Sequence, residues 1–282
     1  MKNFLINCML LLLFLCGLGL LMYPTVSNLV NERNQSTVIT QYEQEVDLLE
    51  EAGQAYYRRA AQTYNESLPT MFTNEDPVGT KWDDLYQEML NPTGDGIMGV
   101  LQIDKINVNL PIYHGTSEDV LQVAVGHLPA TSLPVGGEST HAVLSAHTGL
   151  PSAKLFTELD QLEMGDMFKI TVLGEMLVYQ VCNIRIVEPD DSDSLRIFEG
   201  EDYVSLVTCT PYGINSHRLI VTGTRIQIEE AEKEGLFVET DAVFLDKTLL
   251  IPFAVIPIVI IYFFWVAVKT SGKRKNNGGD NP

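Results

Sequence analysis

The stretch that decides the fold reads Tyr203-Val-Ser-Leu-Val-Thr-Cys209-Thr-Pro-Tyr-Gly-Ile-Asn-Ser-His217-Arg218-Leu-Ile-Val-Thr-Gly-Thr-Arg225. An apolar, β-branched run ends at Cys209, a loop of eight residues containing Pro and Gly follows, and a second run of the same kind opens at Arg218. If the two runs pair as neighbouring strands, the loop returns Arg218 to the side of Cys209. A guanidinium there favours the thiolate and offers fixed donors to a developing oxyanion. A lone Cys and Arg in this arrangement are more often a small buried hydrophobe beside a surface charge, so the pair needs a third residue before it points to chemistry.

Working upstream, the same pattern of short strands between turns recurs at Met98 to Ile103, Val108 to Tyr113, Ala142 to Ser145, Phe168 to Val172 and Val178 to Val187, before Tyr203 to Thr208 and Arg218 to Ile228. Such spacing predicts a β-barrel or sandwich. One helix is expected to interrupt it at Ser152 to Leu159, where Ser152 can cap and Leu155, Phe156 and Leu159 share a face. The small-residue strand Ala142-Val-Leu-Ser-Ala146 delivers His147 to the turn Thr148-Gly-Leu-Pro151. A cysteine nucleophile needs a proton partner, and histidine is the side chain whose ordinary pKa of about 6.5 suits that role near neutrality.

The other candidates are weighed against this one. His217 adjoins Arg218 and on a strand points to the opposite face. His141 opens its strand and reads as solvated, while His114 and His127 fall in turns from which spacing does not exclude a pocket. Cys182 lies within a strand and reads as packing, with a Cys182 to Cys209 disulfide as the alternative. The acidic run Glu188-Pro-Asp-Asp-Ser-Asp193 has the oxygen ligands calcium prefers but not the spacing of an EF-hand, and reads as a solvated turn.

Composition locates these motifs. The chain has 282 residues, 45% of them hydrophobic, and a net charge of −19. Excess acid argues against a nucleic-acid binder, which needs a basic face to neutralise phosphates. Two uncharged apolar runs, Phe4 to Met22 and Leu249 to Val268, are each long enough to span a bilayer. Lys2 precedes the first, and Lys269, Lys273, Arg274 and Lys275 follow the second, so both termini are expected in the cytoplasm. Gly17-Leu18-Gly19 leaves cleavage of the first span as an alternative. Between the spans lie 13 basic and 36 acidic residues, a balance of −23 assigned to the outer side. Four cysteines are too few for a disulfide scaffold, and Cys8 and Cys16 belong to the first apolar run.

The outer region divides near residue 95. Asn34 to Ser67 reads as a helix, with Val38, Tyr42, Val46, Leu49 and Ala52 at helical spacing. Turns at Pro69, Asp76-Pro77, Gly79 and Asn91-Pro92-Thr93-Gly94 follow, around one amphipathic piece from Trp82 to Leu90. The expected organisation is a first transmembrane helix over 1–23, a helical arm and lid over 24–95, a β domain over 96–230, a juxtamembrane linker over 231–247, a second transmembrane helix over 248–268 and a basic tail over 269–282.

Leu206-Val-Thr-Cys209-Thr-Pro-Tyr-Gly-Ile-Asn-Ser-His-Arg218, with Leu144-Ser-Ala-His147-Thr-Gly-Leu-Pro-Ser-Ala-Lys154 upstream, closely resembles the sortases, and within them the pilin-polymerising class C branch of Gram-positive bacteria. Gly126-His-Leu-Pro-Ala-Thr-Ser-Leu-Pro-Val-Gly-Gly137 and Val187-Glu-Pro-Asp-Asp191 extend the resemblance over roughly Gly96 to Ile228. The resemblance implies a mainly β fold, a closed barrel with a few short helices, and no metal or organic cofactor. It implies that Cys209 attacks the Thr-Gly carbonyl of a Leu-Pro-X-Thr-Gly-like signal, that His147 is the acid and then the base, and that Arg218 holds substrate and oxyanion. The resolving nucleophile would be a Lys of another pilin subunit. Class C relatives also carry a lid, usually Asp-Pro and an aromatic, which here reads Asp76-Pro77-Val78, with Asp76 expected to pair with Arg218. Val78 departs from the aromatic pattern, and Thr148 stands where relatives often have Arg. A housekeeping sortase acting on a cell-wall precursor, and a non-catalytic exported binding domain, are the alternatives.

Overall fold

Between residues 97 and 226 the alternation of apolar and polar residues is realised as eight strands: β1 (Ile97–Ile103), β2 (Val108–His114), β3 (Val125–His127), β4 (Thr140–Ser145), β5 (Met167–Val172), β6 (Glu175–Val187), β7 (Asp202–Thr210) and β8 (His217–Ile226). They close into a barrel in the order β1-β2-β3-β4-β7-β8-β6-β5, with β5 returning to β1. Closure leaves no unpaired edge. The pairs are antiparallel except β2 with β3 and β4 with β7, which are parallel. These features belong to a computed structural model that describes residues 2–68, 86–191, 193–227 and 261–262. Residues Val26–Val238 form one unit, and the described residues outside it belong to another.

The barrel interior is filled by large side chains around small ones. Phe168 and Tyr179 stack with centroids 5.6 Å apart. Gly223 on β8 faces them, where a Cβ would lie 2.6 Å from the Phe168 ring, so only glycine lets β8 approach. Gly126 is closer still, since a Cβ there would meet the Gly115 carbonyl oxygen at 2.3 Å.

Among the described residues, three α-helices have defined bounds: α1 (Lys2–Leu48), α2 (Glu51–Ser67) and the short α3 (Glu118–Leu121). Among the described residues, one helix, α1 over Met9–Leu48, is long and apolar enough to cross a membrane. Within Val26–Leu48, Gln35, Ile39, Tyr42 and Val46 are buried at helical spacing. The Tyr42 hydroxyl donates to the Met98 carbonyl (3.1 Å) and accepts the Leu173 amide (3.1 Å), tying this part of α1 to the β domain. Asn65 on α2 binds Leu133 as a strand would, donating to its carbonyl (3.1 Å) and accepting its amide (2.7 Å).

Several expectations need correction. The helix read over Asn34 to Ser67 is two helices that break at Leu49 and Glu50, where Glu50 is extended. The apolar stripe continues across the break, so periodicity does not register it; the break lets Ala61, Tyr64 and Asn65 of α2 be buried. The helix expected at Ser152 to Leu159 is absent: Leu155 has φ 41°, in the left-handed region, and only Leu159–Gln161 forms a single 3₁₀ turn. Its backbone groups are engaged elsewhere. Asn31 Nδ2 donates to the Ser152 carbonyl (2.7 Å), and the Lys154 amide donates to Asn28 Oδ1 (2.8 Å). Leu155, Phe156 and Leu159 are buried all the same. β3, with His127 in it, was expected as a turn. Of the second span only residues 261 and 262 are described, both helical. The lid residues Asp76, Pro77 and Val78 lie outside the described residues.

Candidate active site

The site grows from three adjacent strands, β4, β7 and β8. Parallel register pairs Ser145 with Val207, so two residues further along each strand direction stand His147 and Cys209. Two bonds hold this extension in place: the Ala146 amide donates to the Val207 carbonyl (3.2 Å), and Thr208 Oγ1 donates to the Ala146 carbonyl (2.8 Å). On the other side, antiparallel register sets Cys209 directly opposite Arg218. Opposed residues of antiparallel strands project from the same face. The three predicted site residues therefore meet at one end of one sheet.

Each has a defined setting. Cys209 is a half-buried free thiol. The carbonyl of His147 accepts the Phe156 amide (3.1 Å), which folds the following loop back beneath it. Its Nε2 is buried and forms no hydrogen bond; its polar neighbour is Glu118 Oε2 at 3.4 Å, within ion-pair range. Arg218 Nη1 donates to the carbonyls of His217 (3.1 Å) and Asn215 (3.4 Å), which fixes the guanidinium against its own loop. No carboxylate pairs with Arg218 among the described residues.

Residues that carried no signal in the sequence complete the rim. Glu118, on α3, has its Oε1 held by Gln122 Nε2 (3.1 Å), and its carboxyl lies below the usual carboxylate range, first through that bond and then through the nearby His147. Tyr212 and Ile214, in the loop after Cys209, are 69% and 72% exposed. The Tyr212 ring lies against Gly149, where a Cβ would approach Cε2 to 2.9 Å, so the loops after Cys209 and His147 touch.

Three of the remaining histidines, His114, His127 and His141, are buried and hydrogen-bonded. His141 is buried rather than solvated: its Nδ1 meets the Arg196 carbonyl (2.7 Å) and its Nε2 the Ser205 hydroxyl (2.8 Å). The β4 strand begins at Thr140, which brings His141 inside its ordered part. His127 is fully buried, with Nδ1 on the Tyr86 hydroxyl (2.8 Å) and Nε2 on the Ser132 carbonyl (2.8 Å); burial pushes it down to about 4. His114 sits between the carbonyls of Gly96 (2.8 Å) and Met89 (2.6 Å), and burial lowers it despite both. His217 contacts Glu188 at 3.4 Å. Cys182 is free, so it forms no disulfide with Cys209; it lies at a register shift in β6, and burial pushes its thiol up. Within the acidic run, Asp191 accepts both the Ser194 amide and its hydroxyl, which caps a turn.

A closed mixed barrel that sets a Cys, a His and an Arg at the ends of adjacent strands is an arrangement suited to nucleophilic acyl transfer. The family model described as Sortase domain matches residues 101–226. Sortase D of Bacillus subtilis is 31% identical over 131 residues, covering 45% of this chain and 63% of that protein. Sortase A of Streptococcus agalactiae is 28% identical over 148 residues, 51% of this chain and 57% of that protein. The chain thus spans less than two thirds of these curated relatives. Solved structures match more fully. Sortase C1 of Streptococcus agalactiae is 43% identical with a TM-score of 0.64, covering 68% of this chain and 98% of the other. Sortase C-1 of Actinomyces oris is 45% identical with a TM-score of 0.56, covering 62% and 99%. Sortase C of Streptococcus pneumoniae, whose structure was presented as bearing on pilin substrate specificity, is 42% identical with a TM-score of 0.60, covering 68% and 97%. The chain belongs to the sortase family of cysteine transpeptidases, in its class C branch.

Proposed function

We propose that this protein is a membrane-anchored transpeptidase that joins pilin subunits outside the cell, with Cys209, His147 and Arg218 as its catalytic residues. Cys209 Sγ attacks the Thr carbonyl of a Leu-Pro-X-Thr-Gly-like sorting signal. The Thr-Gly C–N bond breaks, His147 gives a proton to the departing amine, and a thioacyl enzyme remains. A Lys amine of another pilin then attacks the thioester, His147 takes up its proton, and the C–S bond breaks to release the Cys209 thiolate as an isopeptide bond forms. Arg218 is the donor for the oxyanion of both tetrahedral states. The observation that carries this reading is the shared register: one parallel and one antiparallel pairing bring all three groups to one strand end.

The pilin substrate is supported by the likeness to class C structures, one of them presented for its pilin specificity. The apolar part of α1 supports an anchor. Two spans, cytoplasmic termini, an external barrel, and a lid of Asp76, Pro77 and Val78 over Cys209 are the topology and gating proposed with it, on the sequence pattern described above.

The test incubates the full chain with a sorting-signal peptide and, in parallel, a pilin domain bearing an acceptor Lys or a cell-wall amine. A thioacyl adduct on Cys209 and an isopeptide product with the pilin are expected. Product with the wall amine alone would instead make it a housekeeping enzyme. Absence of any adduct, also in Asp76→Ala, would leave only a binding role.

A further inference from the structure

The proposed reaction requires His147 to act through one ring nitrogen, and nothing in a Cys, His and Arg set decides which. A neutral imidazole carries its proton on either nitrogen, and the hydrogen bond made by one nitrogen fixes the role of the other. In His147 the two nitrogens are not equivalent. Nε2 is buried and lies 3.4 Å from Glu118 Oε2. Nδ1 has no hydrogen-bond partner among the described residues.

The carboxylate is itself oriented. Gln122, one turn further on, donates its Nε2 to Glu118 Oε1, which turns Oε2 toward the histidine. The backbone beneath it is held as well. The Leu121 and Gln122 amides donate to the Ser117 and Glu118 carbonyls, and Gln35 of α1 donates to the Val123 carbonyl (2.6 Å) just beyond. On the other side, the His147 carbonyl is fixed by the Phe156 amide. Both members of the contact thus stand on restrained backbone. A proton-transfer histidine oriented by a third group is a general requirement of nucleophile activation, and such bonds are often long before substrate is bound.

We propose that Glu118 is a positioning residue for His147: it holds the ring through Nε2–H and leaves Nδ1 to exchange protons in the reaction. The other charged and titratable groups at this edge are Cys209 from β7, Arg218 from β8 and Tyr212 from the loop after Cys209, and none of them hydrogen-bonds Nε2. Glu118 is a largely exposed side chain, 67% accessible, so the effect is that of a solvated ion pair rather than a buried triad acid. An energy of that class corresponds to a rate change of up to about five-fold.

The proposal rests on His147 being the acid and base, and the experiment separates the two claims. Long-range ¹H–¹⁵N spectra of the histidine-labelled full chain in micelles should show His147 as the Nε2–H tautomer, and Glu118→Gln should mix the tautomers while Glu188→Gln, which alters the matching contact to His217, leaves them unchanged. This readout needs no substrate. With sorting-signal peptide, Glu118→Gln should lower kcat up to about five-fold at constant KM and be partly rescued by Glu118→Asp. An unchanged tautomer in Glu118→Gln, or equal losses in Glu118→Gln and Glu118→Asp, would overturn the role of Glu118. A wild-type chain that shows the tautomer but forms no thioacyl adduct would overturn the transpeptidase reading and leave the Glu118 contact standing.

Discussion

Cys209 and Arg218 are directly opposed residues of β7 and β8, so their side chains rise from the same face of the barrel wall. This fixes the distance between them through backbone pairing rather than through a side-chain bond. Arg218 is further restrained by the carbonyls of its own loop. Its planar fork is therefore held before substrate arrives.

Arg218→Ala should lower the rate of thioacyl formation by about 10²–10³, the usual loss for one oxyanion donor. Arg218→Lys should recover little of it, because a point charge does not reproduce the fork. Single-turnover measurement with mass detection of the Cys209 adduct gives both numbers. Full activity in the Lys variant would remove the oxyanion role.

Gly149→Ala introduces two problems at one position. The residue has φ 74°, costing about 1 kcal/mol or more for a side chain, and the new methyl meets the Tyr212 ring at 2.9 Å. Acylation should slow several-fold as the loop after Cys209 is displaced. Adding Tyr212→Ala should restore the part due to contact and leave the backbone strain. Non-interaction of the two substitutions in a double-mutant cycle would show that the loops are not coupled.

Tyr42→Phe leaves the Leu173 amide and the Met98 carbonyl without their hydroxyl partner. Buried groups left unpaired cost about 1–3 kcal/mol. The thermal midpoint should fall accordingly, with kcat per folded molecule unchanged. An unaltered midpoint would mean that this part of α1 adds nothing to the stability of the β domain.

Buried histidines set the response to acid. His127 falls from its ordinary 6.5 to about 4 because burial disfavours its charged form. The unfolded chain then binds the proton first, so the stability contributed is complete above about pH 6.5, declines as pH falls, and is exhausted near pH 4. The loss is on the order of 3 kcal/mol. His141 and His114 shift in the same direction. Urea midpoints between pH 7.5 and pH 4 should decline, and His127→Gln should be less stable at neutral pH but less sensitive to acid. An equally steep decline in that variant would exclude His127 as a contributor.

Legibility in the sequence tracked the range of the interaction. Seven strands could be read because β-branched alternation and turn residues are local, and β3 could not because three residues are too few for a period. Cys209 and Arg218 were placed together by a short loop between neighbouring strands. The parallel pairing of β4 with β7 joins segments more than fifty residues apart, and no spacing rule reaches that far. His141 looked solvated because its burial depends on Ser205 and Arg196, both distant in the chain. Glu118 looked like any exposed acid, because what distinguishes it is a neighbour twenty-nine residues away.

The position of β8 has a consequence for how the chain acquires its chemistry. It is the last in sequence of the described strands, yet it lies between β7 and β6. Until it arrives, the wall is open between β7 and β6, and Cys209 has no Arg218 opposite it. A nascent chain emerging from its N-terminus therefore carries an incomplete centre through most of its synthesis. The pairing of β8 with β7 is a local hairpin, whereas those of β8 with β6 and of β4 with β7 join distant segments and must first meet a larger loop-closure entropy. Closing the barrel and setting Arg218 opposite Cys209 are therefore one event, so the proposed centre is complete only in a finished wall.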